Sequence, residues 1–281
     1  RDYYASRGLG DVYKRQLLSI YNSCVSSHAM DEVMADYIAR YDKLDDINPL
    51  MAHVDHPFVA LDNILFKRLS EAIENSEFLG EYIHFIDART KSKNADSYKA
   101  GWLRDVQTLV EFKNGELYKI ASLSDFAIYY RDIFAKLDTA VRHLYAAWLH
   151  EEKVLRPFQF LYEQAEKELL DKWFSLTADY QPTQQGLLKE KMEENGRIAF
   201  LVCDGLRLEI AETIYQQSKS KSKNDYGFAM LPSVTENGMS ALFGCDGVET
   251  TAQNRYAHLK KMMPDVEVIE ADKLNSCVTA R

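Results

Sequence analysis

One short run constrains this chain more than any other feature. Arg197-Ile198-Ala199-Phe200-Leu201-Val202-Cys203 is almost unbroken in apolar side chains and ends directly on Asp204-Gly205. Strict alternation would mark a strand with one wet face, whereas a continuous short run is expected of a strand buried on both faces of a parallel sheet. The residues downstream of it have the matching rhythm. Leu206–Gln217 reads as a helix with Leu206, Ile210 and Ile214 on one face, and Tyr226–Leu231 as a second strand. Glu236–Phe243 and Tyr256–Met263 read as further helices, and Val266–Ile269 as a third strand. Strands alternating with helices predict an α/β domain with a largely parallel sheet. It starts near Gly196, after a short helix that stops at Asn195-Gly196.

Upstream the period is different. Phe126, Tyr130, Ile133, Leu137, Val141, Leu144 and Trp148 recur at intervals of three and four, predicting one amphipathic helix with Ser124 as N-cap and Asp125 in its first turn. A second stripe, Phe158, Leu161, Tyr162, Ala165, Leu169, Trp173 and Leu176, predicts a helix over Leu155–Leu176 that either packs on the first as a hairpin or bends into it near Pro157. Asp31–Tyr41, Pro57–Ser76 and Ser97–Phe112 also read as helices. The aromatic residues in these stripes are assigned to core packing rather than to a ligand groove. The expected division is therefore 17–178 as a helical domain, 179–195 as a linker with a short helix, and 196–281 as the α/β domain. Arg1–Gln16 has no clear period and resembles adapter-derived sequence, so it is set aside.

Composition narrows the setting. The 281 residues carry a net charge of −9, which disfavours non-specific binding to nucleic acid, because phosphate affinity needs clustered Lys and Arg. The one dense basic run, Lys219–Lys223, reads as a solvated loop. Cys24, Cys203, Cys245 and Cys277 are widely spaced with no C-x-x-C pair, which suits a reducing cytoplasm. No stretch approaches a membrane span of about 20 apolar residues. The expected location is cytoplasmic, with no membrane partner.

Two places carry residues suited to chemistry. Asp204 sits where the first predicted strand ends, and ligands of open α/β sheets bind at such ends. Its carboxylate is a hard oxygen donor for Zn²⁺, Mn²⁺ or Mg²⁺, while the plain alternative is that it caps the next helix. Leu231-Pro232-Ser233-Val234-Thr235-Glu236-Asn237-Gly238-Met239 places Ser233 and Thr235 at a helix start, where backbone N–H groups favour phosphate. There too a capping role is the alternative. If the two predicted strands are parallel neighbours, Asp204 and Thr235 share one rim. His53-x-x-His56 has ligand-like spacing without a third ligand nearby, and His258 falls on a predicted helix. No G-x-G-x-x-G follows the first strand, which disfavours a dinucleotide site.

The runs FLVCDGLRLEIAETI and LPSVTENGMSALF together resemble the PglZ family. Its pattern is an apolar strand, D-[AG]-L-R-x-E, a helix, then Pro-Ser-x-Thr followed by Gly-Met. The specific likeness covers about Arg197–Phe243, and a general one Leu17–Leu274. The resemblance implies an alkaline-phosphatase-like parallel sheet, truncated here, preceded by an all-α region. It implies a metal-dependent phosphatase or phosphodiesterase of a bacterial BREX phage-defence system, with a two-metal site and zinc as the expected ion. By position, Asp204 matches the first metal ligand and Thr235 the metal-bound nucleophile, with Ser233 the alternative nucleophile. Asn237 is a candidate phosphate donor, and Arg207 and Glu209 are motif residues of structural or substrate-facing role. Later ligands of the family are expected beyond residue 281, so the segment itself is expected to be inactive and to bind metal poorly. The implied partners are a phosphoester substrate and other BREX proteins, a DNA methyltransferase among them. The alternative is a scaffold subunit with vestigial or no catalysis.

Overall fold

The computed structural model describes residues 15–24, 26–29, 31–46, 48–51, 54–56, 58–92, 101–194, 198–218, 223, 225–245, 251–269 and 273. The chain divides into two compact units, one of Arg1–Ile120 with Asp132–Lys172 and one of Ala121–Arg131 with Trp173–Arg281.

The first unit is helical among its described residues. Its elements are α1 (15–24), α2 (Asp31–Asp42), α3 (Asn48–Met51), α4 (Val59–Glu74), α5 (Gly80–Lys91), α6 (Trp102–Glu111), α8 (Ala135–Trp148) and most of α9 (Glu152–Leu176). Packing joins α6 to α8, α5 to α6 and α2 to α4. The core gathers Leu61, Leu65, Phe66 and Leu69 of α4, Ile86 of α5, Leu103 and Val106 of α6, Leu137 and Leu144 of α8, and Phe158 of α9. Phe66 is its hub, with ring centroids 4.5 Å from Trp148, 4.6 Å from Phe158 and 5.1 Å from Trp102. Offset and edge contacts of this kind add stabilisation beyond the area buried.

Several polar groups inside this core pair with one another. Arg89 is 0% exposed and grips Asp62 with both arms, Nε to Oδ1 at 3.1 Å and Nη2 to Oδ2 at 3.0 Å, while Nη1 donates to the Val54 carbonyl at 2.9 Å. Burial pushes the Asp62 carboxyl up and the Arg89 fork works against it. The Tyr162 hydroxyl donates to buried Asp138 at 2.8 Å, and burial together with this carboxylate raises the phenol. His56, from the His53-x-x-His56 spacing, is buried beside Asp62, its Nε2 3.7 Å from Oδ1. His53 lies outside the described residues.

The predicted long helix forms with two differences. Its N-cap is Ser122, whose hydroxyl accepts from the Asp125 N–H at 3.1 Å, so α7 runs Leu123–Tyr129 and Ser124 is already inside it. A π-turn, Tyr130–Phe134, then interrupts it before α8. The step across that turn is five residues, so Tyr129 and Phe134 are buried where a strict α-period favoured Tyr130 and Ile133. The break between α8 and α9 falls at Leu149–Glu151, upstream of Pro157, which is accommodated inside α9.

The second unit contains α7, the end of α9, α10 (Leu187–Glu194), α11 (Leu208–Gln217), α12 (Thr235–Leu242) and α13 (Ala252–Met262). Its core is small: Leu188, Phe243, Cys245 and Leu259, with Met239, Leu242, Tyr256, Met263, Val266 and Val268 packed around them. Gly244, at φ +74°, closes α12 in the left-handed conformation that suits glycine after a helix.

The expected alkaline-phosphatase-like parallel sheet does not form: there is no β-strand among the described residues. The 198–203 run is exposed, Leu201 at 77%, and it makes no backbone hydrogen bond among the described residues. In 225–230 the backbone bonds that a neighbouring strand would take go to a loop instead. Thr183 N–H donates to the Phe228 carbonyl at 2.9 Å, Phe228 N–H donates to Thr183 Oγ1 at 2.8 Å, and Met230 N–H donates to Gln184 Oε1 at 3.1 Å. At Val266 the N–H turns back to the Met263 carbonyl. An apolar run becomes a strand only when a ladder partner satisfies its backbone, and in these residues none does.

Candidate functional site

Asp204, Ser233 and Thr235 lie in the second unit, at two turns. The first is Asp204-Gly205, exposed, with Gly205 at φ +71°. That left-handed glycine reverses the chain between the apolar run and α11, which begins at Leu208. Asp204 therefore stands four residues ahead of the helix. The N-cap position belongs to Arg207, with no side-chain capping bond. The capping alternative for Asp204 thus has no geometric support, and its carboxylate faces solvent.

Arg207 and Glu209 are brought together. Arg207 Nε lies 2.6 Å from Glu209 Oε1, and the pair is lopsided, with Arg207 at 53% side-chain exposure and Glu209 at 3%. Glu209 is the buried foot of α11, and the guanidinium above it anchors the end of the Asp204 turn.

The second turn is Leu231–Val234, with a cis peptide before Pro232, leading into α12. Val234 N–H donates to the Pro232 carbonyl at 2.8 Å, and Asn237 Nδ2 donates to the same oxygen at 3.2 Å. Asn237 thus ties the first turn of α12 to the loop before it. Thr235 is the first residue of α12, and no side chain caps that helix, whose N-cap is Val234. Ser233 and Thr235 are both exposed. Unsatisfied N–H groups at a helix start carry partial positive charge that favours an anion. Ser240 and Ala241 are buried at the other end of α12, where Met239 and Leu242 pack against the small core.

With no strand under them, the shared rim predicted for Asp204 and Thr235 is absent, because that argument required two parallel neighbours. Among the described residues no group of three or more His, Cys, Asp or Glu is placed to hold a metal ion. A zinc site takes three or four protein ligands, so the two oxygens of Asp204 and Thr235 do not make one by themselves. His258, on α13, is part of no such group.

Sequence reasoning missed Thr183 and Gln184. It placed them in the 179–195 linker, yet these two side chains, with the Tyr180 hydroxyl donating to the Ala229 carbonyl, hold the segment that leads to the Ser233–Thr235 turn. Their signal was chemical rather than periodic: a hydroxyl and an amide, each able to accept from a backbone N–H, follow Pro182. Among the described residues no helix is long and apolar enough to cross a membrane.

Comparison with known proteins gives one match. Residues 186–259 match the family model PglZ, described as the BREX system PglZ alkaline phosphatase-like domain, a match consistent with a partial domain of that kind. The match begins at Gly186, one residue before α10, and contains both turns. No curated protein and no solved structure matches the chain.

Proposed function

Taking residues 186–259 as part of a BREX-associated, phosphatase-like PglZ domain, we propose that this protein hydrolyses a phosphoester in the bacterial cytoplasm, with Thr235 as nucleophile. The observation that carries the reading is that neither key side chain is spent on local structure: Asp204 is exposed ahead of α11, and Thr235 opens α12 without capping it. Free of capping, the Thr235 hydroxyl is available at the positive end of a helix, where an incoming phosphate is favoured. Ser233, two residues earlier, is the second hydroxyl on the turn. The Asp204 carboxylate is a donor suited to the divalent ion, zinc by family expectation, that such hydrolases use to supply Lewis acidity. Its remaining ligands are not furnished by the described residues. Arg207, Glu209 and Asn237 act by holding the two turns.

The test is hydrolysis of a chromogenic phosphomonoester and a chromogenic phosphodiester by the full-length protein with added zinc. Thr235→Ala and Asp204→Ala each are expected to lower kcat by about a hundredfold or more, with Ser233→Ala close to unaltered. If Thr235→Ala retains full rate, the nucleophile assignment is wrong.

One observation favours a second reading, a scaffold that docks another BREX component such as a DNA methyltransferase. Leu201, Leu231 and Val234 are exposed around the same two turns, and exposed apolar clusters mark interaction sites. Retained methyltransferase binding by Thr235→Ala, with no hydrolysis by the unaltered protein, would select it.

A further inference from the structure

The second unit holds a cleft that the hydrolase reading does not use. Its volume is about 210 Å³, and its walls are Phe126, Tyr130, Trp173, Tyr226 and Phe228, with Leu208 and the bare backbone of Gly227. Arg131 and Asp225 bring one charge of each sign to the same lining. Sequence reasoning put the Phe126 and Trp173 stripes into core packing. Phe126 is buried against Trp173, with centroids 5.2 Å apart, but Trp173 and Phe228 are only half-buried and Tyr226 is exposed.

We propose that this cleft binds the base of a purine nucleotide. Roughly 300–1,000 Å³ is usual for drug-sized ligands, so this space takes one flat ring system and little else. Aromatic walls stack on the π-face that every nucleobase offers, and a purine presents the larger face. The charges separate the two ends of such a ligand. A carboxylate only accepts hydrogen bonds, so Asp225 suits the N–H edge of a base, and it selects guanine, which presents two neighbouring donors there, over adenine. Asp225 Oδ1 already takes the Tyr226 N–H at 2.9 Å, which orients the carboxylate; each oxygen still has a lone pair for one of the two guanine donors. Arg131 suits the phosphate. A purely cationic ligand, the other common guest of aromatic cages, is disfavoured by that same guanidinium.

The wall is built before any ligand arrives. Phe228 is pinned through both its N–H and its carbonyl to Thr183, and its ring lies 5.6 Å from Tyr180, which lies 5.7 Å from Trp173. Gly227 is required in that arrangement, since a Cβ there would come within 2.8 Å of Thr183 Oγ1. The cleft adjoins both motif turns along the chain: Leu208 follows Arg207, and Tyr226–Phe228 lead into Leu231–Thr235. The inference holds whether or not Thr235 is a nucleophile.

The experiment is isothermal titration of the full chain with GMP, AMP and ribose 5-phosphate, with circular dichroism of every variant to verify folding. The expected result is one saturable GMP site, tighter than AMP, with ribose 5-phosphate at least tenfold weaker. Tyr226→Ala is expected to weaken GMP by at least about fivefold, and Asp225→Asn to remove the preference over AMP. Asp204→Ala and Thr235→Ala are expected to leave GMP binding unaltered, which separates this site from the hydrolase assignment. Absence of saturable GMP and AMP binding at millimolar ligand overturns the proposal. So does equal binding of ribose 5-phosphate, or GMP binding unaffected by Tyr226→Ala.

Discussion

Replacing Arg89 with Met tests the interior of the helical unit at its most demanding point. The substitution keeps an unbranched apolar stem but removes the three donors that reach Asp62 Oδ1, Asp62 Oδ2 and the Val54 carbonyl. Asp62 is itself 0% exposed, so its carboxylate would be left in the core without the charge that balances it. Breaking one partner of a buried pair costs about 3–5 kcal/mol. For a unit of this size that is a fall in Tm of about 6–20 °C, at roughly 2–4 °C per kcal/mol. Removing both charges, Asp62→Leu with Arg89→Met, takes away the uncompensated carboxylate; the Val54 carbonyl loses a donor, at about 1 kcal/mol, and His56 loses the carboxylate beside it. The double variant is therefore expected within about 2 kcal/mol of the parent. Thermal and urea melts should track near-ultraviolet circular dichroism and tryptophan fluorescence, since Trp102 and Trp148 pack on Phe66 in this unit. A cost below about 1 kcal/mol for Arg89→Met, or a double variant whose loss equals the sum of the singles, would refute the claim that the pair is buried and coupled.

The same geometry sets other outcomes. Leu201→Lys, at a site 77% exposed, should change stability by no more than about 0.5 kcal/mol in urea melts. A loss of several kcal/mol would mean the run is buried after all. Glu209→Gln removes the charge from the Arg207 pair at the foot of α11 and should cost about 1–3 kcal/mol, read as loss of helical signal at lower urea. The Asp87 carboxyl is held below its ordinary value by the Lys91 ammonium at 2.8 Å. Its stabilising contribution is thus present above the unfolded value and disappears as pH falls through the folded one. Carboxyl-resonance NMR should show Lys91→Ala moving that titration back up. Tyr162→Phe leaves the buried Asp138 without the hydroxyl it accepts from, and should cost about 1–3 kcal/mol in the same melts as Arg89→Met.

The helices were legible because their signal is local. The three-and-four spacing of Phe126, Leu137, Leu144 and Trp148 needs no distant partner to be read, and those residues are buried. The bounds of α11, α12 and α13 lie within a few residues of their predicted ones. α5 escaped notice because Gly80–Lys91 has a weak stripe, with Phe85, Ile86, Arg89 and Thr90 as its buried face, two of them polar. The sheet failed for the opposite reason. A continuous apolar run reports the capacity to be buried on two sides, but a strand is a relation between segments, and the ladder partner of Ile198–Cys203 cannot be inferred from those side chains. At the candidate site, Asp204 and Thr235 stood out as chemistry at segment ends, while Arg207 and Glu209 entered only with the PglZ resemblance, and the matched stretch contains all four. The aromatic cleft was not, because Trp173, Tyr226 and Phe126 are far apart in sequence and meet only in three dimensions.

The π-turn at Tyr130–Phe134 gives this chain an unusual tolerance. An α-helix advances about 100° per residue, so losing one residue normally swings everything downstream off its buried face. Here the chain already carries one more residue than a plain helix needs between Tyr129 and Phe134. Excising a single position from that turn would convert it to ordinary helix and leave Leu137, Leu144 and Trp148 facing as before. The same excision one turn later, inside α8, has no surplus to absorb it. Single-codon deletions scanned along 123–148 should therefore show one permissive window, centred on the wide turn.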